Sequence, residues 1–309
     1  MKNRLYFWVE RYLFSPNTIQ KVLSILLLPI TFLYCIVVWA KRKFAKPENQ
    51  GVVVISVGNL IVGGSGKTPF TIALAREFRD VAIVLRGYGR QSKGLIVVSQ
   101  YGVIMCDVKR SGDEAMLLAT SLPQATIIVS EDRKKGIQKA KKLGAKIVIL
   151  DDGYSKAGIE KFDILLKPSM IFENSFCLPS GPFRESVSNY KKVDMVAVEN
   201  VDFTRDVTII NPTKRMVLVT AISKPQRLEK FLPPFIERIY FPDHYQFQER
   251  ELAKILREYN ADSILTTQKD AVKMKNFRID ISVLELDIIL SPRILQEVNK
   301  YIANFAKIS

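Results

Sequence analysis

The stretch VGNLIVGGSGKTPF, Val57–Phe70, decides how the rest of the chain is read. Its end matches the phosphate-loop pattern G-x-x-x-x-G-K-[ST] at Gly66, Lys67 and Thr68, yet the first glycine of that pattern falls on Ile61. Gly58 lies three residues too early to replace it. The flanks favour an anion site over a plain glycine turn. Upstream, VVVIS (Val52–Ser56) is a β-branched run suited to a strand buried on both faces. Downstream, TPFTIALAREFR places Phe70, Leu74 and Phe78 at four-residue spacing, with Ile72 and Ala75 in the same stripe, which predicts a helix over 68–79. Pro69 is tolerated in the first turn, where its missing N–H is not needed. A glycine loop between such a strand and helix aims free backbone N–H groups and the positive end of the helix dipole at an anion. Gly63, Gly64 and Gly66 let the backbone approach where a Cβ would obstruct. In that arrangement Lys67 meets the β- and γ-phosphates and the Thr68 hydroxyl ligates Mg²⁺.

A length of 309 residues implies two domains. Hydrophobic residues make up 48% and charged residues 25%, which excludes a disordered chain. Cys35, Cys106 and Cys177 are far apart and odd in number, against a disulfide framework or zinc site and for a reducing compartment. The net charge of +15 points to anionic partners such as lipid head groups or phosphorylated substrates. Much of it lies in the first 48 residues and in Asp132–Lys146, read as the solvated face of a helix. Zinc-finger spacing and aromatic-basic RNP-like motifs are absent, so nucleic acid is not expected. Nothing implies an obligate protein partner.

Val22–Ala40, VLSILLLPITFLYCIVVWA, carries no charge. As one helix it would be about 28 Å long, close to the roughly 30 Å of bilayer hydrocarbon. It is too long for a signal peptide, and KRKFAK follows where a small-residue cleavage site should stand. Basic residues at both ends leave the orientation open, and Pro29 predicts a kink. A spanning helix, a monotopic helix and a buried helix of a soluble core all remain open; membrane attachment with the catalytic part in the cytoplasm is the expectation.

The remaining chain alternates strands and helices, which predicts a mostly parallel sheet with helices on both faces. A hairpin is expected within LIVVSQYGVIMCDV, and a Pro/Ser/Gly-rich bridge follows about Lys167. The expected organisation is an N-terminal helical segment over 1–48, a phosphate-loop core over 49–167, a bridge over 168–190, a smaller α/β domain over 191–290, and a helix over 291–309 that returns to the core.

Four further constellations carry chemistry. Asp151 and Asp152 end the apolar run KIVIL, where carboxylates stand beside the glycine loop and hold Mg²⁺ directly or through water. Asp113 and Glu114 begin a helix; they serve either its cap and N-terminal dipole or as a general base toward an acceptor hydroxyl. His244, the single histidine, is either structural or catalytic. Arg184 and Glu185 lie in the bridge, where a substrate could be clamped. TTQKDA (Thr266–Ala271) does not spell the N-K-x-D guanine motif, because Lys269 directly precedes Asp270.

In order, VGNLIVGGSGKTP, RGYGR, GDEA, DDG, LPSGPFRE, FPDHYQF and TTQKDAVK resemble the tetraacyldisaccharide 4'-kinase family. The resemblance spans residues 57–273, and the N-terminal hydrophobic run fits it. It accounts for Ile61: this is how that family writes its loop. It implies a P-loop NTPase-type fold and transfer of the ATP γ-phosphoryl group to the 4'-hydroxyl of an acylated disaccharide 1-phosphate, giving lipid IVA at the cytoplasmic face of the inner membrane. It implies that Lys67, Thr68 and Ser65 bind phosphates and Mg²⁺ with support from Asp151 and Asp152. Asp113 is the implied base, tuned by His244 on domain closure. Asn59, Arg86, Glu114, Arg184 and Glu185 are implied active-site contributors. Basic side chains near the N-terminal helix are expected to meet the substrate's 1-phosphate and the anionic leaflet. Two departures stand out: Tyr154-Ser155-Lys156 follows DDG where the family commonly has Gln-His, and Gln268 replaces a frequent Glu. A membrane-bound ATPase with a switch or partitioning role, without a lipid acceptor, is the competing reading, and a kinase for a soluble small molecule is a third.

Overall fold

The computed structural model describes residues 2–63, 66–169, 173–222, 225–233, 237–243 and 245–308. Its strands in chain order are β1 (Val53–Gly58), β2 (Val81–Leu85), β3 (Ile96–Gln100), β4 (Val103–Ile104), β5 (Thr126–Val129), β6 (Ile147–Asp151) and β7 (Phe162–Lys167). They continue as β8 (Met195–Val198), β9 (Phe203–Ile210), β10 (Met216–Thr220), β11 (Glu237–Tyr240), β12 (Ser263–Thr267) and β13 (Ile281–Leu290). The chain divides into two compact units, each assembled from separated stretches: Met1–Lys67, Ile147–Phe203 and Leu290–Ser309 in one, Thr68–Lys146 and Thr204–Ile289 in the other.

In the first unit β6, β1, β7 and β8 lie side by side and run parallel. Every residue of β1 and β6 is buried, as expected of continuous β-branched runs in a parallel sheet. The register sets Val57 of β1 opposite Asp151 of β6, so the acidic turn and the glycine loop leave the sheet at the same end. The sequence texture groups β8 with the strands after it, but it pairs with β7, because the long bridge supplies the crossover that a parallel neighbour needs. Helix Pro292–Ile308 belongs to this unit; its Tyr301 ring sits 5.2 Å from that of Phe162.

Three N-terminal helices, Lys2–Phe14, Thr18–Leu26 and Leu28–Lys43, complete the first unit. The charge-free run is therefore not one helix. It breaks at Leu27, the two segments meet at 56°, and among the described residues no single helix is long and apolar enough to cross a membrane. The break precedes Pro29 because proline sits comfortably in the first turn of the second helix. Asn17 and Gln20 close a capping box at the start of Thr18–Leu26.

In the second unit β2 pairs parallel with β5, β5 pairs antiparallel with β3, and β3 and β4 form the expected hairpin. Helix Asp113–Ser121 packs on β3 and β5, and helix Arg133–Lys142 on β2 and β5. A separate five-stranded sheet, ordered β11-β10-β12-β13-β9, carries helix Glu249–Glu258. Val217, Val219, Phe247, Leu252, Ile264 and Met274 form its core. Helix Lys67–Arg76 follows the glycine loop and stops short of the expected 68–79, with Phe70 through Ala75 all buried.

Candidate active site

The glycine loop begins where β1 ends. Gly63 and Gly66 adopt φ of 85° and 83°, the left-handed region that the turn requires and that glycine enters without strain. Gly58 is glycine for a different reason: a Cβ there would lie 2.5 Å from the Cβ of Tyr154. The bridge segment props the loop from below. Ile61 forms an antiparallel bridge with Phe183, Val62 N donates to Pro182 O at 2.9 Å, and Arg184 N donates to Leu60 O at 2.7 Å. Ile61 is fully buried, so the position where a standard loop carries glycine serves here as a packing anchor.

Lys67 Nζ donates to Asn59 Oδ1 at 3.1 Å and lies 3.6 Å from Asp152 Oδ1. Arg184 Nη1 reaches both oxygens of Asp152, at 3.1 and 3.4 Å. Because the ammonium has only donors, it fixes the Asn59 carbonyl toward itself and turns the amide nitrogen the other way. Among the described residues that buried Nδ2 has no hydrogen-bond partner. A buried orphan donor beside a loop lysine suits an incoming phosphate oxygen. Asp151 is buried, and Asp152 holds a left-handed φ of 55° at the end of β6.

Among the described residues no group of three or more His, Cys, Asp or Glu side chains could hold a metal ion. Magnesium beside nucleotide phosphates needs no such cage, since it takes one or two carboxylates and completes its shell with phosphate oxygens and water. Asp151 and Asp152, on the turn opposite the loop strand, fit that role, with the Thr68 hydroxyl next to Lys67 in the chain.

Glu185 is 8% exposed and accepts from Arg42 Nε and Nη2, both at 3.0 Å, and from Asn189 Nδ2 at 2.8 Å. Arg42 also donates to Tyr154 O at 3.2 Å and stacks 4.0 Å above the Tyr154 ring. Helix Leu28–Lys43 is thus tied to the strand end that carries Gly58. Tyr154, one of the departures from the family pattern, fills the space beside that glycine, and burial pushes its phenol well above the ordinary value. A cavity of about 500 Å³ lies against the same helix, lined by Trp39, Arg42, Lys43, Arg184, Glu185 and Lys192 among others.

In the second unit Gly112, with φ of 85°, caps helix Asp113–Ser121 without a side-chain bond, so Asp113 is not the capping residue. Asp113 is 4% exposed, and Lys273 Nζ lies 3.5 Å from its Oδ2. Lys273 also pairs with Asp270 Oδ1 at 2.7 Å. Lys269 Nζ sits 3.2 Å from Asp243 and 3.8 Å from Glu114. Burial alone would lower the Lys269 pKa; Glu114, then Asp243 and Asp113, outweigh it and hold the ammonium above the ordinary lysine value. Arg86 is exposed just past β2. Gly64, Ser65 and His244 lie outside the described residues. Sequence reasoning assigns Lys269, Asp270 and Lys273 no role. The signal is present in TTQKDAVKM, where charges three and four apart share a short helical turn with Ala271, Val272 and Met274.

A mostly parallel α/β fold with a glycine loop, a loop lysine and a strand-end carboxylate pair defines the class of phosphate-loop nucleotide-binding proteins. Comparison with known proteins is more specific. The family model for tetraacyldisaccharide-1-P 4'-kinase, LpxK, matches residues 23–213 and 203–303. The tetraacyldisaccharide 4'-kinase of Aliarcobacter butzleri is 50% identical over 99% of this chain and 100% of its own length. Those of Helicobacter pylori strain J99 and Campylobacter jejuni strain NCTC 11168 are 46% and 44% identical, each over 96% of both chains. The crystal structure of LpxK from Aquifex aeolicus in complex with ATP superposes with a TM-score of 0.75 at 28% identity, covering 92% of this chain and 99% of that one. The chain belongs to the tetraacyldisaccharide 4'-kinase family.

Proposed function

We propose that the protein transfers the γ-phosphoryl group of ATP to the 4'-hydroxyl of tetraacyldisaccharide 1-phosphate, giving lipid IVA, at the cytoplasmic face of the inner membrane. The observation that carries this reading is that one unit combines a phosphate-loop cluster with an outward-facing apolar surface. Ile25, Leu26, Phe32, Leu33 and Trp39 are all more than half exposed, while Gln20, Ser24 and Thr31 of the same helices are buried. Ser24 Oγ donates to Ser180 O, and Thr31 Oγ1 donates to Ser180 Oγ at 2.7 Å. Polar residues face the protein and apolar residues face out, the inverse of a helix in water. Such a surface suits a bilayer that also presents the acylated acceptor. The cavity beside it pairs the Trp39 ring with the cations Lys43, Arg184 and Lys192, which suits a glycolipid phosphate. Arg184 joins that cavity to Asp152 and so to the loop.

The division of labour follows from phosphoryl-transfer chemistry, in which positioning and charge neutralisation dominate. Lys67 and the Asn59 amide hold phosphate oxygens, and the loop N–H groups add their dipoles. Asp151, Asp152 and Thr68 would hold Mg²⁺, which neutralises charge on the phosphates. Asp113 accepts the proton of the 4'-hydroxyl as that oxygen attacks phosphorus and the bond to the β-phosphate oxygen breaks. A switch ATPase would use the same loop but would need neither a buried base nor the lipid-facing surface.

The test is to incubate detergent-solubilised protein with γ-labelled ATP, Mg²⁺ and the acylated disaccharide 1-phosphate, beside a lipid-free control. Label should enter the lipid and be lost with Asp113→Asn. Free phosphate released equally with and without lipid would refute the kinase reading in favour of the ATPase.

A further inference from the structure

Beside Asp113 the second unit buries an ion pair, Lys273 with Asp270, that the reaction as described does not use. The Lys273 side chain is 1% exposed, that of Asp270 0% and that of Asp113 5%. An ammonium at that depth persists only where fixed partners replace water. Lys273 has four of them. It lies 2.7 Å from Asp270 Oδ1 and 3.5 Å from Asp113 Oδ2, donates to Tyr245 O at 3.0 Å, and sits 5.1 Å above the Phe247 ring. Asp270 is itself immobilised. Its Oδ2 accepts from Thr220 Oγ1 at 2.7 Å, Ala221 N at 2.9 Å and Thr267 Oγ1 at 3.1 Å.

The asymmetry of the two carboxylate distances is informative. Asp270 makes the shorter ion contact and fixes the ammonium. Asp113 receives the positive field at a longer distance, without a short hydrogen bond from that ammonium occupying its Oδ2. We propose that Lys273, anchored by Asp270, is a positioning residue for Asp113: it keeps the carboxylate ionised and oriented near neutral pH while its closest ion contact stays on another carboxylate. The proposal rests on the reading of Asp113 as the base. It assigns a task to the TTQKDAVK segment, whose helix Gln268–Ala271 packs against helix Asp113–Ser121.

Other charges face this site. Glu114 lies on the same helix as Asp113, and Lys269, paired with Asp243 and Glu114, comes from the packed turn. Lys109 and Arg110 lie exposed on the neighbouring helix Val108–Ser111, and the Tyr88 carbonyl and Arg90 Cβ lie beside Gly112. Strands β3 and β5 beneath contribute no titratable side chain. Losing Lys273 removes a cation 3.5 Å from Asp113 Oδ2.

The experiment is the pH dependence of kcat and of KM for ATP in the full-length enzyme with its lipid acceptor, with melting recorded for each variant. An opposite charge within about 4–6 Å lowers a carboxylate pKa by 1–3 units. Lys273→Met should therefore move the acidic limb of the kcat profile up by about 1–3 pH units. Below the shifted limb, kcat should fall about 10-fold for each unit, with KM for ATP within about twofold of the parent. Lys273→Arg should return the limb toward its original position, and Asp270→Asn, which removes a neighbouring anion and releases the ammonium toward Asp113, should move the limb the opposite way, to lower pH. A purely structural role would lower activity with the folded fraction and leave the limb in place; that result would overturn the proposal. If Lys273→Met fails to fold, Asp270→Asn decides the question: a limb moved to lower pH supports the proposal and an unmoved limb overturns it. Asp113→Asn separates the two levels: retained kcat refutes the base itself, whereas an inactive Asp113→Asn beside an unmoved Lys273→Met limb refutes the positioning role alone.

Discussion

Asn59→Asp is the perturbation that separates a phosphate-binding role for the loop cluster from a merely structural one. In the structure Asn59 offers its carbonyl to Lys67 at 3.1 Å and keeps a buried amide nitrogen with no hydrogen-bond partner among the described residues. Aspartate is nearly isosteric and still accepts from Lys67, now as an ion pair. Folding should therefore be unharmed, and the melting temperature should hold or rise. Toward ATP the same change replaces a donor with an acceptor. Losing a hydrogen bond to a charged group costs about 1.5–3 kcal/mol. At about 1.4 kcal/mol per decade that is roughly a 10- to 150-fold rise in KM or Kd for ATP, and repulsion between the new carboxylate and phosphate adds to it. The assay is ATP titration by calorimetry beside steady-state kinetics at saturating lipid, with melting recorded on the same samples. Opposite signs in stability and ATP affinity are the expected signature. An ATP affinity within twofold of the parent would refute the claim that the orphaned nitrogen awaits a phosphate.

Two further outcomes are expected from the first unit. Arg42→Met removes two charge-assisted hydrogen bonds from a Glu185 side chain only 9% exposed, while Arg42 itself is 29% exposed. Breaking a fully buried pair costs about 3–5 kcal/mol; partial exposure of Arg42 reduces this to roughly 2–3 kcal/mol. A double-mutant cycle with Glu185→Gln, followed by denaturant melts, should show coupling well above about 0.5 kcal/mol, and simple additivity would contradict the geometry. Phe32→Glu with Leu33→Glu places two charges on the outward apolar face, where neither side chain packs inward. Co-flotation with anionic phospholipid vesicles should drop about tenfold or more while ATP binding is unchanged; undiminished flotation would argue against that face as the bilayer contact.

Much of the fold was legible because its signals are local. β1 and β6 are β-branched runs buried along their whole length, the hairpin β3–β4 turns at a glycine, and Gly66-Lys67-Thr68 follows a strand and opens a helix. What was not legible is what depends on distant partners. No periodicity announces that Ile61 will pair with Phe183, or that β8 will join β7 across a long bridge. The charge-free run promised one helix, and the break at Leu27 became visible only when Ser24 and Thr31 found hydrogen-bond partners around Ser180.

By itself the sequence determined the α/β class, the phosphate loop, the strand-end carboxylates and the candidate base, because each is written within a few consecutive residues. Only the tertiary structure decided which charges meet. The pairing of Asp113 with Lys273, 160 positions away, is set by packing of helix against helix. The inverted face of the N-terminal helices is likewise set by polar contacts to a bridge some 150 residues on. Contacts between elements far apart in sequence have no local propensity to betray them. They exist because burying apolar surface brings the elements together, and buried polar groups then take whichever partners lie within reach.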